Sequence, residues 1–559
     1  MDAFRKYNKW LTSDYYDDET KSLLREIEND CYEVEQRFSQ NLKFGTGGLR
    51  ALMGVGTNRL NKYTVRLITI GYCKYLLDHF GDEAKNRGIA IAYDMRHYSK
   101  EFSIEIARTC SSFGIKTYLF KEITPTPELS FTVPYLHCVG GIVITASHNP
   151  PEYNGYKIYD DTGCQVTPIV ADKIINKVDF EFEREDDEII ELNCELINWI
   201  DKSVDDAFIE SVKKISRNKQ NFSNLIRNTK ILYSPLHGTG NVPVQRVLKE
   251  AGFEKLYTVE EQVDPDPNFS TVESPNPEDE SAFEKALEAG MRLDVDLILA
   301  TDPDCDRVGA FVKHNNEFMR LNGNQLGSLM VYYLLSNQEN INFNSYIVKT
   351  IVTSDLGEKI AASFGVKTFN TLTGFKYIGD LVNKLQSTNT FVMGYEESFG
   401  YLVGEHARDK DGVGSALIIA EMVDFFLNKN MTLIDVLNLL YSEFGFYKEN
   451  LYSIAINSEN GLDIIKFIME KFRNIDKEDY EKNQISNIVD YLNFNEFFPK
   501  SDVLKIIFKD ESWIAVRPSG TEPKIKFYSS AVSDNEVDVN NRVKELKNFI
   551  NSYSSEKLR

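Results

Sequence analysis

The chain reads as an α/β protein of several domains, and three observations carry that reading. Short apolar runs alternate with stretches of helical periodicity. The runs stop abruptly in loops rich in Gly, Pro, Asp and Ser. The scheme returns three times and then gives way to a C-terminal stretch of α+β character. A chain of 559 residues is also too long for one core. The expected division is a helical extension over 1–43, α/β domains over 44–205, 206–322 and 323–445, and a smaller α+β domain over 446–559.

Residues 1–43 are charged, with Leu23, Leu24, Ile27, Val34 and Phe38 at near-helical spacing, as for helices packed on the outside. The loop Phe44-Gly45-Thr46-Gly47-Gly48-Leu49-Arg50 has glycines that free its backbone and an arginine at its end, a combination that can hold a phosphate. Ile89–Tyr93 is a strand that runs into Asp94-Met95-Arg96. Ser99 can cap the helix through Ile104 and Ala107 to Phe113, and Ile115–Phe120 is the next strand. Thr124-Pro125-Thr126-Pro127 is a rigid entry to another helix.

The run Val139–Ile144 ends in Thr145-Ala146-Ser147-His148-Asn149-Pro150-Pro151, where paired prolines forbid the strand to continue. Ser147 is therefore lifted on a loop at the carboxyl end of a strand, the edge where open α/β sheets bind ligands. Asn154–Lys157 reads as a turn that returns an ammonium toward Ser147.

The second unit has the strand Ile231–Tyr233, the loop Pro235–Gly240 and a helix to Glu250. Gln262–Glu280, rich in Pro, Asp, Glu and Asn, reads as exposed loop. The strand Val295–Ala300 then ends in Thr301-Asp302-Pro303-Asp304-Cys305-Asp306-Arg307. In the third unit Tyr346–Lys349 and Val366–Phe369 are strands, and Ser354 or Asp355 caps the helix between them. Thr371–Lys376 opens the next helix, and the strand Phe391–Met393 ends in Gly394-Tyr395-Glu396-Glu397-Ser398. The last unit has strands Leu451–Ile456, Val503–Phe508 and Trp513–Val516, with a helix near 461–473. Its third strand ends in Arg517-Pro518-Ser519-Gly520-Thr521-Glu522-Pro523-Lys524, and a helix bearing Val537, Val539, Val543, Leu546 and Ile550 closes the chain.

Lys+Arg number 63 and Asp+Glu 85, a net charge of −22. Such a surface repels nucleic acid and anionic lipid, so neither is an expected partner, and anions must be met in local basic pockets. The seven cysteines show no CxxC pair, which suits reduced thiols in the cytoplasm. No stretch has the character of a signal peptide or a membrane span.

Asp302, Asp304 and Asp306 alternate, so in extended backbone their carboxylates point one way and Cys305 points away. Carboxylates about 4 Å apart repel by roughly 4 kcal/mol per pair at an effective dielectric near 20. A divalent cation relieves that, and an all-oxygen set suits Mg²⁺. Ser147 lacks the G-x-S-x-G elbow of a serine hydrolase, and the adjacency of His148 argues against its facing the Ser147 oxygen as base. A phosphate on Ser147 would instead supply a further oxygen to a metal on the three aspartates, with Arg50 and Lys157 nearby. Glu396 and Ser398 offer an acceptor and a donor to vicinal hydroxyls, while Arg517, Ser519, Gly520 and Thr521 form an anion nest.

With these motifs the chain resembles the α-D-phosphohexomutase superfamily, most closely its phosphoglucomutase/phosphomannomutase enzymes of the phosphoglucomutase-2 type. Thr145–Pro150, Asp302–Arg307, Gly394–Ser398 and Arg517–Thr521 occur in the family's order, one per domain, and the resemblance runs from Phe44 to about Tyr528. It implies mixed sheets and a heart-shaped arrangement around a central cleft. It also implies a reversible mutase interconverting hexose 1-phosphate and hexose 6-phosphate, glucose foremost. The phosphoenzyme would be at Ser147 and glucose 1,6-bisphosphate would be the intermediate. Asp302, Asp304 and Asp306 would hold Mg²⁺ with the Ser147 phosphate, and Arg307 would contact the intermediate. Arg50 would steady the transferring group, and Lys157 would be general acid or base with His148 nearby. Thr373, Gly374, Glu396, Ser398 and Lys410 would read the sugar, and Arg517 to Thr521 the distal phosphate. A bisphosphate synthase, a Mg²⁺ phosphatase and a non-catalytic sugar-phosphate binder remain alternatives, as do monomer and small homo-oligomer. Cys305 stands where many members carry alanine, and the expectation is a loop sensitive to oxidation.

Overall fold

A computed structural model describes residues 2–43, 48–178, 194–217, 226–338, 341–456, 460–493, 499–519 and 524–554. Four sheets follow one another along the chain. The first has six strands in the order Gly48–Leu52, Tyr153–Tyr159, Gly140–Ile144, Ile89–Tyr93, Thr117–Phe120 and Ile197–Ile200. The second has five, Glu317–Leu321, Val308–His314, Leu297–Thr301, Ile231–Ser234 and Leu256–Thr258. The third has four, Lys367–Thr371, Ser345–Thr350, Thr390–Tyr395 and Tyr401–Val403. All three are mixed. In each, the strand that delivers the polar loop has a parallel neighbour on one side and an antiparallel strand on the other. The loops at Ser147, Asp302 and Glu396 are therefore each the connection between two antiparallel neighbours, one position used three times.

The fourth sheet is antiparallel throughout, in the order Phe446–Ala455, Lys524–Ser533, Trp513–Pro518, Leu504–Phe508 and Ile485–Asp490. The helices Gly461–Arg473 and Glu536–Ser554 bury Ile465, Ile468, Phe472, Val539, Leu546 and Ile550 with its strands. Val537 is on the exposed face of the last helix. A separate apolar seam joins this sheet to the third domain: Ile351, Val352 and Leu372 pack on Tyr491, Val503, Trp513, Ala515 and Tyr528.

The helix Gly412–Leu427 is buried along nearly its whole length and packs on Asn241–Glu250, Gly323–Ser336 and the strand Tyr401–Val403. Apolar on every side, it can only be interior, and it ties the second unit to the third. Its two acids, Glu421 and Asp424, are answered by the buried Arg227 at 3.2 and 2.8 Å.

Some expectations need correction. The N-terminal segment folds as three helices, Asp2–Thr12, Asp18–Glu26 and Cys31–Phe38. They are held by an aromatic core of Tyr7, Trp10, Tyr16 and Phe38 with Tyr63, rather than by the periodic aliphatics alone; Leu23 is exposed. Ser99 is the first helical residue and its hydroxyl donates to Asp94 (2.7 Å), so Tyr98, in left-handed conformation, takes the cap position. Asp355 takes the cap position of Leu356–Ser363, but its carboxylate is engaged elsewhere and makes no cap hydrogen bond. Asn154–Lys157 is not a turn but part of the strand Tyr153–Tyr159; the chain reverses earlier, at the prolines. Gln262–Glu280 is loop for most of its length, as expected, but only partly exposed: Gln262, Phe269 and Pro275–Pro277 are buried, while Asp264, Pro265, Asn268, Ser270, Glu273 and Glu280 are exposed.

Candidate active site

Ser147 has a left-handed backbone, φ 53°, a conformation that costs a non-glycine residue of order 1 kcal/mol or more. Several groups hold it there. Its N–H donates to Thr145 Oγ1 (2.8 Å). The guanidinium of Arg96 donates to the carbonyls of Ser147 (2.5 Å), Pro150 (2.8 Å), Tyr153 (3.0 Å) and Asn149. Arg96 is wholly buried, its charge answered by Asp94 at 3.4 Å and its face laid on the Phe269 ring of the second domain, 4.9 Å away. Sequence reasoning saw Asp94-Met95-Arg96 at a strand end but gave Arg96 no task, because its partners are backbone atoms that no motif records.

The Ser147 hydroxyl donates to Asp302 Oδ2 (2.7 Å), so serine loop and acidic loop meet across two domains. His148 Nδ1 lies 3.1 Å from the same oxygen, against the expectation drawn from adjacency. The left-handed turn at Ser147 brings the neighbouring ring alongside the hydroxyl. Burial, then the Arg307 and Arg50 charges, push the His148 pKa well below its ordinary value, which keeps the ring neutral.

The acidic loop is a tight turn rather than extended backbone. Cys305 N–H donates to the Asp302 carbonyl (2.9 Å), and the N–H groups of Asp306 and Arg307 donate to Asp302 Oδ1 (3.0 and 2.9 Å). Asp302, Asp304 and Asp306 converge because the loop wraps around Asp302; their ligand oxygens lie within 4.8 Å of one another. Cys305 is packed inward beside Gly240, fully buried, and burial drives its thiol pKa up, so it is shielded from oxidants and the expected sensitivity does not hold.

Asp304 Oδ2 accepts from Lys157 Nζ (2.7 Å) and from Thr126 Oγ1 (2.9 Å). Asp306 Oδ2 faces Lys157 at 3.3 Å and Lys410 at 3.0 Å. Burial pushes Asp302 well above the carboxylate range, with Asp306 and Asp304 adding to the effect. At Asp304 burial acts in the same sense, but the Lys157 ammonium outweighs it and holds that carboxyl low. Asp304 Oδ1 and Asp306 Oδ1 are buried and have no hydrogen-bond partner among the described residues. Orphaned carboxylate oxygens are costly to bury, and their convergence fits a divalent cation with oxygen ligands.

Arg307 forms an ion pair with Glu278, from the stretch expected to be loop, and Arg50 donates to Asn149 Oδ1 (3.2 Å). Glu396 Oε1 accepts from the Gly374 N–H (2.9 Å). Burial raises its pKa to about 7, against the pull of Lys410. Thr373 Oγ1 is buried without a hydrogen-bond partner among the described residues, and Ser398 is half-buried beside Glu397. Lys410, expected at the sugar, also bridges Asp306 and Asp409, each at 3.0 Å.

In the fourth domain Arg517 and Ser519 are half-buried; Gly520 and Thr521, like Phe44–Gly47, lie outside the described residues. Arg517 faces Lys526 across two antiparallel strands. Burial and the Arg517 charge lower the pKa of Lys526, and of Lys376 in the third domain to about 8. Neither lysine was singled out from sequence, though the alternation Lys524-Ile525-Lys526 on a strand edge was a usable signal.

The same four-part order is found in known proteins. Residues 41–185, 206–315 and 322–444 match alpha/beta/alpha domains I, II and III of phosphoglucomutase/phosphomannomutase, and 469–539 match its C-terminal domain. The chain belongs to the phosphoglucomutase/phosphomannomutase family. Each family domain contains one of the four polar loops. A phosphoglucomutase of Staphylococcus haemolyticus is 36% identical over 98% of this chain and 99% of its own length. One of Staphylococcus aureus is 34% identical over 94% and 96%. Among solved structures, a family protein of Burkholderia thailandensis superposes with a TM-score of 0.68 at 16% identity, covering 91% of this chain and 97% of its own. The Paramecium phosphoglucomutase parafusin, in an open form, also gives 0.68, at 19% identity and 92% and 96% coverage. These two likenesses are of fold.

Proposed function

We propose that this phosphohexomutase-family protein interconverts hexose 1-phosphate and hexose 6-phosphate, glucose being the preferred sugar, through a phosphoserine at Ser147. The observation that carries the proposal is the 2.7 Å contact between the Ser147 hydroxyl and Asp302, inside a cluster where Asp304 Oδ1 and Asp306 Oδ1 have no hydrogen-bond partner among the described residues. The relatives named phosphoglucomutase support the choice of sugar.

In the forward half-reaction the bond between phosphorus and Ser147 Oγ breaks, and a new one forms to a sugar hydroxyl. The product is the bisphosphate, glucose 1,6-bisphosphate for a glucose substrate. It turns over in the cleft, and its other phosphate returns to the Ser147 oxygen. His148, kept neutral, suits the base that takes the hydroxyl proton. Lys157, kept charged by Asp304 and Asp306 despite its burial, suits the acid and neutralises the group in flight. Arg50 and Arg307, whose charges both bear on His148, would neutralise that group, and Arg307 would leave Glu278 to do so. Glu396, Ser398, Thr373, Gly374 and Lys410 read the sugar, and Arg517 and Ser519 hold the phosphate at rest.

Asp302, Asp304 and Asp306, with the phosphoserine, are the residues that would hold Mg²⁺, which when bound offsets the charge of the transferring phosphoryl group. Among the described residues no helix is long and apolar enough to cross a membrane.

The test is a coupled assay of glucose 1-phosphate conversion, run with and without a trace of glucose 1,6-bisphosphate and with Mg²⁺ removed and restored. Activation by the bisphosphate and dependence on Mg²⁺ are expected. Release of inorganic phosphate in place of glucose 6-phosphate would identify a phosphatase instead.

A further inference from the structure

Three cations lie where the third domain meets the fourth, with no carboxylate at ion-pair distance among the described residues; Glu396 acts on Lys376, and Glu278 and Glu397 on Lys526, from farther away. Lys376 is the second residue of the helix Phe375–Leu385 and only 6% exposed. Among the described residues its ammonium has no ion-pair partner and no hydrogen-bond acceptor. Its one aromatic contact is its neighbour Tyr377, 5.3 Å away. The charges that bear on it are Arg517 of the fourth domain, which repels it, and Glu396, which attracts it; it therefore lies between the sugar loop and the phosphate loop. Arg517 and Lys526 form a cross-strand pair of like charges and likewise have no carboxylate at ion-pair distance among the described residues. Like charges so placed are mutually destabilising.

The local backbone adds to the field. The helix that carries Lys376 starts at Gly374, φ 116°, and no side chain caps its first turn. Its unpaired N–H groups and the positive end of its dipole face the same region. Thr373 Oγ1, one residue earlier, is buried without a partner among the described residues. From behind, the first domain fixes the helix start: Cys164 Sγ donates to the Lys376 carbonyl (3.4 Å), and its sulfur fills the space a side chain at Gly379 would need. A buried ammonium at an uncapped helix N-terminus, repelled by Arg517, is costly until a multiply charged anion arrives.

We propose that Lys376 is a direct ligand of the phosphate that is not being transferred, holding it from the third domain while Arg517 and Lys526 hold it from the fourth. The proposal rests on the mutase reading and extends it: the resting phosphate bridges two domains. The ligand itself then completes the seam between them. The group recognised is a phosphate dianion, and an unphosphorylated sugar gains nothing from Lys376.

The test separates the two kinds of acceptor. Enzyme phosphorylated with glucose 1,6-bisphosphate is mixed with glucose 1-phosphate or with glucose, and loss of the phosphate is followed by intact-protein mass. Wild type should prefer the phosphorylated acceptor. Lys376→Met should lower that preference ratio at least tenfold, and Lys376→Arg should restore most of it. A ratio that keeps its wild-type value in Lys376→Met, whatever the absolute rates, overturns the assignment of Lys376. A wild-type enzyme that neither acquires nor discharges phosphate with either acceptor overturns the mutase reading, and shows it before any variant is made.

Discussion

The two ends of the cleft carry charge in opposite ways. At the serine end most charges have an answer: Asp304 and Asp306 face Lys157 and Lys410, Arg307 faces Glu278, and Arg96 faces Asp94, while among the described residues Asp302 and Arg50 have only neutral hydrogen-bond partners. At the far end Lys376, Arg517 and Lys526 face one another with no acid at ion-pair distance among the described residues. The serine end is largely assembled before substrate arrives and needs the cation and the transferring group. The far end is incomplete and is stabilised by what it binds. That division suits a reaction in which one phosphate changes bonds while the other is only held.

The largest expected effect attacks the matched end. Asp304→Asn removes the charge shared by Lys157 and Thr126 and should lower kcat by about 10²–10³-fold. Mn²⁺ affinity measured by electron paramagnetic resonance should fall with it. Full turnover with weak metal binding would show that the cluster is not the centre of charge neutralisation.

Next in size is Arg96→Met, which leaves Asp94 without its counter-charge and four carbonyls without their donor. Breaking a buried ion pair of this kind costs about 3–5 kcal/mol. Thermal unfolding should move down accordingly. An unchanged midpoint would mean that the left-handed Ser147 is held by its own loop.

A smaller effect lies between the two ends. Glu396 ionises near pH 7, and only its carboxylate can accept from two sugar hydroxyls. Wild-type kcat/KM should therefore rise through pH 7 by several-fold more than that of Glu396→Gln. Parallel profiles would remove Glu396 from sugar recognition.

The smallest effect concerns the seam behind the far end. Lys505 of the fourth domain donates to the Ile351 carbonyl of the third (2.8 Å) and lies over the Trp513 ring at 4.1 Å. Burial lowers its pKa to about 8. The folded state thus disfavours the charged form. The penalty is full below pH 8 and fades as pH rises toward the ordinary lysine value, so stability should climb over that window by at most about 3 kcal/mol. In Lys505→Met the climb should be smaller by the Lys505 share, as urea unfolding of both proteins at pH 7.5 and 10 would show; an equal climb would contradict the assignment.

Much of the site was legible because the loops that carry it sit at strand ends, where apolar runs break. Ser147, the three aspartates, Glu396 and Arg517 were all read that way. Three kinds of residue were not. Arg96 and Thr126 act on backbone or on one carboxylate, and that leaves no pattern. Glu278 lies in a stretch whose composition reads as loop, although Arg307 and Arg320 anchor it. Lys376 and Lys526 belong to different domains, and only the folded structure shows that each is repelled by Arg517. The convergence expected of the acidic loop is present, but for a different reason. Its carboxylates converge through a turn around Asp302, not through strand alternation, and that same turn places Cys305 in the core.

The most direct measurement is phosphopeptide mapping of the enzyme after incubation with glucose 1,6-bisphosphate, followed by a chase with glucose 1-phosphate. The account predicts about one phosphate per chain, on Ser147, removed by the chase and absent in Ser147→Ala. A label on another residue, or a label on Ser147 that the chase leaves in place, would contradict it.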